Sequence, residues 1–276
     1  MKTYIKILLI ATIALTSCTD VVDVEVPEAA PRLVVEASLD WEKGTQGNEQ
    51  TIKLSTSTAY FDKNSNKIVT GASVKVTNDS NSTEFIFADQ NNGEYTSTNF
   101  IPIVNQSYTL EIIYNNERYI AQETLKPVAD IESVSQEIDD VDLNITVEFN
   151  DPEDEENFYF GKFKEQKEVL PELFYNADEF TNGNLMDFEY TINEEIEDDG
   201  PLLEDTVNIQ LLGISERYYN YIGLLTDQAE SDGGPFSTTP APLRGNCRNI
   251  TTPENYAFGY FRLSQMVQTS FTYSSK

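Results

Sequence analysis

The stretch Ser107-Tyr108-Thr109-Leu110-Glu111-Ile112-Ile113-Tyr114-Asn115-Asn116-Glu117-Arg118-Tyr119-Ile120-Ala121-Gln122-Glu123-Thr124 decides the fold class. Side chains alternate across a strand, so Tyr108, Leu110, Ile112 and Tyr114 share one face while Thr109 and Glu111 point the other way. Asn115-Asn116 then supplies a tight reversal into Arg118-Tyr119-Ile120, because asparagine tolerates the backbone that a two-residue hairpin turn needs. Working outward, strands are expected over Leu33–Ser38, Thr51–Thr56, Ala72–Thr77, Glu84–Ala88, Glu94–Thr98, Ser107–Tyr114 and Arg118–Thr124. Thr70-Gly71 and Asn92-Gly93 mark turns between them. So many short strands before Pro127 predict a small β-sandwich over residues 31–127.

Beyond Val128 the strands continue: Leu143, Ile145, Val147 and Phe149 alternate with polar residues, as do Val207, Ile209 and Leu211. One helix is expected from Ser215 to Gln228, with Ser215 as N-cap and Tyr218, Tyr221, Ile222 and Leu225 on one stripe. Gly233-Gly234-Pro235 ends it and Thr238–Thr252 reads as loop. The aromatic stretch Tyr256–Leu263 reads as a buried strand, continuing after a turn to Tyr273. The expectation is a mainly β protein: an N-terminal immunoglobulin-like or transthyretin-like sandwich, then a β-rich second domain over residues 128–276 with one or a few helices.

The 276 residues hold 47 acids, 18 bases and no histidine, a formal charge of −29. Phosphate backbones need a basic face, so nucleic acid is not an expected partner. Without histidine, the usual serine and cysteine triads and His-ligated zinc are excluded. The acid is unevenly placed: residues 19–127 carry 16 acids and 8 bases, residues 128–276 carry 31 acids and 8 bases.

Residues 1–17 read as an export leader, with Lys2 and Lys6 followed by the apolar run Ile7–Leu15, too short to span a bilayer comfortably. The run ends in Leu15-Thr16-Ser17-Cys18, which resembles a bacterial lipobox, so Cys18 is the expected lipidation site and the expected route to the membrane. Acyl chains anchor at about 0.8 kcal/mol per buried methylene, so two or more give stable attachment. Residues 18–30 then form an acidic tether that reaches at most about 40 Å.

Several residue groups invite chemistry. Asp151–Glu156, Glu194–Asp199 and the set Asp178, Asn182, Asn184 and Asp187 offer oxygen ligands for calcium, but none has EF-hand spacing, so solvated loops are the reading and no metal site is assigned. A glycosidase needs two carboxyls facing across a sugar site, one with its pKa raised, and sequence cannot pair them. Cys247 lies near Arg244 and Arg248, yet with no histidine an idle or buried thiol is the default. Most of the aromatics at Phe158-Tyr159-Phe160, Phe174-Tyr175, Tyr218-Tyr219 and Tyr256–Phe261 are expected in the core. No cofactor is expected, no catalytic residue is assigned and the ligand-binding residues stay unassigned.

The lipobox, Leu33-Val34-Val35-Glu36, Gly71-Ala72-Ser73-Val74-Lys75-Val76, Gly93-Glu94-Tyr95, Tyr108–Ile112, Tyr119-Ile120-Ala121, Asn157-Phe158-Tyr159, Asp205-Thr206-Val207, Gly245-Asn246 and Phe258–Phe261 occur in that order. Together they resemble an uncharacterised family of Bacteroidota outer-membrane lipoproteins, a domain of unknown function often encoded beside a TonB-dependent receptor. The Gly-Ala-x-Val-x-Val, Gly-x-Tyr and Tyr-x-Leu-x-Ile pieces also look like a transthyretin-like sandwich. The resemblance implies a lipid-anchored protein, at the cell surface, acting as a non-enzymatic accessory or ligand-binding component of a TonB-dependent uptake system with an outer-membrane receptor as partner. The alternative is a cell-surface adhesion or structural module, and after it a carboxylate-dependent glycosidase.

Overall fold

Hydrophobic alternation produces two packed layers from the first half of the chain. A computed structural model describes residues 30–58, 67–139, 142–153, 155–179, 181–192, 204–229 and 242–274. The leader 1–17, Cys18, the tether up to residue 29, the acidic run Glu194–Asp199 and the Gly233-Gly234-Pro235 stop lie outside the described residues.

Strands β1 (Leu33–Glu42), β2 (Gln50–Thr56), β3 (Lys67–Ile68), β4 (Ser73–Asn78), β5 (Glu84–Asp89), β6 (Glu94–Ser97), β7 (Ser107–Tyr114) and β8 (Glu117–Thr124) follow the expected order. The β7–β8 hairpin closes through Asn115 and Asn116 at φ 50° and 60°, the left-handed pair that this turn requires. Tyr108, Leu110 and Ile112 are buried against Val35, Ile52, Val76, Phe85 and Tyr95. Strand β5 pairs with β4 on one side and β6 on the other, so one sheet curls over this core.

Strands β9 (Ile131–Asp139), β10 (Asp142–Asn150) and β13 (Leu185–Ile192) form a separate three-stranded sheet. It packs on β11 (Phe158–Glu165), β14 (Glu204–Ile214) and the end of β16 (Phe258–Ser274), with β12 (Glu172–Ala177) at the edge of the large sheet. Rings dominate this second core, as in Phe149 on Tyr159 at 4.7 Å and Phe163 on Phe174 at 4.9 Å. The helix α1 (Glu216–Ala229) covers the opposite face of the large sheet through Tyr218 and Ile222. Ser215 caps it, its Oγ accepting the Tyr218 N–H at 3.2 Å. Leu225, expected on the buried stripe, is exposed; Tyr218, Tyr219, Tyr221 and Ile222 make the packing of the helix against the sheet.

The stretch after the aromatic run departs from expectation. The segment after Leu263 does not turn: β16 runs 17 residues without a break. Its first half lies parallel to β1, Val34 opposite Phe258 through Glu42 opposite Met266, and its second half lies antiparallel to β14. Residues Pro31–Lys276 form one compact unit. The expected division at residue 127 falls between two apolar clusters that share this strand, Phe261 and Leu263 lying in one and Tyr273 in the other. A two-residue strand, β15 (Arg248–Asn249), extends the sheet beyond β8 inside the stretch expected to be loop.

Candidate functional site

A groove of about 500 Å³ lies where β8, α1, the start of β16 and the segment 243–248 meet. The segment passes so close to β16 that a Cβ on Gly245 would stand 1.5 Å from the Gly259 carbonyl oxygen, so only glycine fits. Asn246 then acts as a substitute strand partner: its Nδ2 donates to the Phe261 carbonyl at 2.7 Å and its Oδ1 accepts the Phe261 N–H at 2.9 Å. Cys247 turns into the first core, leaving Arg244 and Arg248 exposed on either side of it. Arg217 enters from the first turn of α1 and donates from Nη2 to the Gln122 carbonyl at 3.0 Å.

Three of the chain's six arginines therefore line one groove in a protein of charge −29. Among the described residues no carboxylate side chain lines it. Glu123 lies buried beneath, 3.9 Å from Arg217 and accepting the Tyr260 hydroxyl at 3.0 Å. Tyr260 and Tyr221 pack at 4.8 Å and, with Leu224 and Leu243, supply the apolar part of the wall. Burial first, then the Glu123 charge, raises the Tyr260 hydroxyl well above its ordinary pKa, so it stays protonated as a donor. Arg244 is held flat: Tyr256 is sandwiched between Arg32 and Arg244, each guanidinium carbon 3.8 Å from the ring centre.

The other residues singled out in the sequence fall elsewhere. Cys18 lies outside the described residues. Cys247 is buried in apolar surroundings, which push its thiol up to about 12, so the neighbouring arginines do not activate it. Asp151 and Asp178 come together at the base of a loop, both buried: Asp151 accepts Tyr159 Oη–H at 2.6 Å and the Gly183 N–H at 2.9 Å, and Asp178 accepts the Asn157 N–H at 2.9 Å. Asp187 points to solvent from β13, away from that pair. Among the described residues no cluster of three or more acids or cysteines has a metal-holding arrangement.

Two further concavities carry polar groups. Glu165 and Glu172 line a cleft of about 410 Å³; Glu165 accepts the hydroxyls of Tyr190 at 2.8 Å and Tyr273 at 2.6 Å, and burial, then Glu165, raises the Glu172 carboxyl. A polar trough of about 510 Å³ over the open face of β11, β14 and β16 holds Lys162, Lys164, Asn208, Gln210, Gln268 and Ser270. Sequence reasoning missed the arginine groove. Arg217 and Arg244 are 27 residues apart, and only the sheet register brings Gln122 and Tyr260 to them. The available signal was the spacing Arg244-Gly245-Asn246-Cys247-Arg248 in a chain so poor in bases.

No curated protein matches the sequence. Among solved structures, the chicken interferon gamma receptor alpha chain aligns at 8% identity over 67% of this chain and 89% of that one, with a TM-score of 0.20. Residues 19–270, which include the groove and all but the last four residues of the described strands, match one family throughout, and the chain belongs to that family, described as Domain of unknown function (DUF4249).

Proposed function

We propose that this is a non-enzymatic, lipid-anchored protein of the outer-membrane surface that assists TonB-dependent uptake by holding ligand in its arginine groove. The groove carries the binding role: three guanidiniums converge on one small concavity of an acidic protein, at the cost of charge repulsion that folding alone does not require. The lipobox ending at Cys18 and the resemblance of the sequence motifs support the anchor and the transporter partner.

Purification of the native protein in mild detergent tests the partnership; an outer-membrane barrel is expected in the eluate, and repeated recovery without one ends it. An adhesion module would instead come out alone while staying protease-accessible on intact cells. Loss of membrane retention on Cys18→Ala checks the anchor. One observation favours a second reading: Glu165 and Glu172 line one cleft and burial raises Glu172, as the acid of a glycosidase requires. Turnover of a glycan that disappears in Glu165→Gln would establish it.

A further inference from the structure

We infer that the groove takes a small organic polyanion, with acid groups on Arg217, Arg244 and Arg248 and an apolar or aromatic body over Tyr221 and Tyr260. This rests on the binding role proposed above and names the chemistry of the ligand. Guanidinium presents a planar fork that matches carboxylate or phosphate oxygens in pairs.

Arg217 answers buried Glu123 at 3.9 Å, whereas Arg244 and Arg248 have no acid partner among the described residues. Arg217 stands in the first turn of α1, where the helix dipole disfavours a cation, and its side chain is 62% exposed. Arg248 projects from the short edge strand β15 with no ion-pair partner among the described residues. Arg244 is stacked on Tyr256, which fixes its plane while leaving the guanidinium edge free of described acids.

Size follows from the electrostatics. Charges are screened over about 8 Å at physiological ionic strength. A ligand that fits inside a groove of about 500 Å³ feels the arginines, whereas an extended polyanion would also meet the acidic surface around them. The same acid groups occur on free solutes and on lipid headgroups, and a free solute is the source inferred, since the wall carries only two leucines and two tyrosines for an apolar body.

The test is calorimetry on the full chain in non-ionic detergent with four probes: benzene-1,3,5-tricarboxylate, benzoate, pyrophosphate and short-chain dihexanoylphosphatidate. Saturable binding of the tricarboxylate is expected, about tenfold tighter than benzoate, because further acids engage further arginines. Arg248→Gln and Arg217→Gln should each weaken it about tenfold, Arg248→Gln with an unchanged unfolding midpoint. Arg118→Gln, which removes the same charge at the Glu111 pair outside the groove, should change it less than twofold. Arg248-dependent binding of dihexanoylphosphatidate alone would support the site and move the source to a lipid headgroup. No saturable binding of any probe, or equal weakening by Arg118→Gln and Arg248→Gln, overturns the inference. A barrel that still co-purifies in that case leaves the transporter role standing; anion binding without a barrel does the reverse.

Discussion

Replacing Arg262 by methionine should be among the most damaging single changes in the protein. The side chain is 2% exposed and lies between β16 and α1, its Nη2 2.8 and 2.9 Å from the two oxygens of Asp40 on β1 and its Nη1 donating to Ser264 Oγ at 3.0 Å. The guanidinium also lies 5.0 Å from the Tyr218 ring centre, so the pair ties strand, strand and helix together. Methionine keeps much of the stem but leaves Asp40 with only Lys162, at 3.6 Å. Breaking one side of a buried ion pair costs about 3–5 kcal/mol. Asp40 keeps 21% side-chain exposure and Lys162, which places the loss near the lower end, about 3 kcal/mol. At a urea slope of about 3 kcal/mol per M, the midpoint should fall by about 1 M. Asp40→Leu alone should be at least as harmful, because it leaves Arg262 buried beside Lys162. The double change Arg262→Met with Asp40→Leu should recover most of the loss, since an apolar replacement of both partners is close to neutral. A coupling energy above about 2 kcal/mol from urea unfolding of all four proteins is the expected result. Costs that add within about 0.5 kcal/mol would refute the reasoning.

Asp178→Asn should stabilise the protein at neutral pH. Burial, then the nearby Asp151, raises the folded-state carboxyl above its ordinary value, and Oδ1 has no hydrogen-bond partner. The folded state therefore holds this proton more tightly than the unfolded chain, so the charged carboxylate weakens the fold above the raised value and the penalty fades as pH falls to the ordinary value. Thermal unfolding should show a gain of about 1–3 kcal/mol at pH 7 that shrinks toward pH 4; an equal gain at both would contradict the linkage. Gly245→Ala should lower the unfolding temperature and abolish tricarboxylate binding together, because the added methyl cannot coexist with the Gly259 carbonyl at 1.5 Å. The native Cys247 thiol should resist Ellman's reagent at pH 8, with about one molecule in ten thousand as thiolate, and react fully in urea; prompt native reaction would place the thiol outside the core.

Legibility in the sequence followed local physics. The β7–β8 hairpin could be read residue by residue because alternation and Asn115-Asn116 specify one register, and α1 because Ser215 supplies its cap. Strand β12 left no such trace: Glu172–Ala177 has no clear inward face, its burial coming from an edge position beside β11. The polar residues Gln265, Gln268, Thr269 and Ser270 occupy the stretch after Leu263 where a turn was expected. They continue as strand because Gln210 and Asn208 across β14 present matching polar partners, as in Ser270 Oγ donating to Asn208 at 2.9 Å. Arg262 within Tyr260-Phe261-Arg262-Leu263 was a readable sign of a buried pair, but its partner lies 222 residues earlier. The groove was invisible for the same reason, being assembled from four separate elements by register alone.

The parallel pairing of β1 with β16 joins the first strand of the sheet to the last. During synthesis most of the amino-terminal core, from Leu33 to Leu125, is made long before Phe258 emerges, yet Phe261 and Leu263 are still missing from it and one edge of β1 stays unpaired until β16 follows. Vulnerability to edge-to-edge aggregation is thus greatest in chains that stop before β16, and a stop codon shortly before residue 258 would leave both cores without their common strand. Strand β16 works as a late clasp: the sheet closes along β1 only once residues 258–266 have been made.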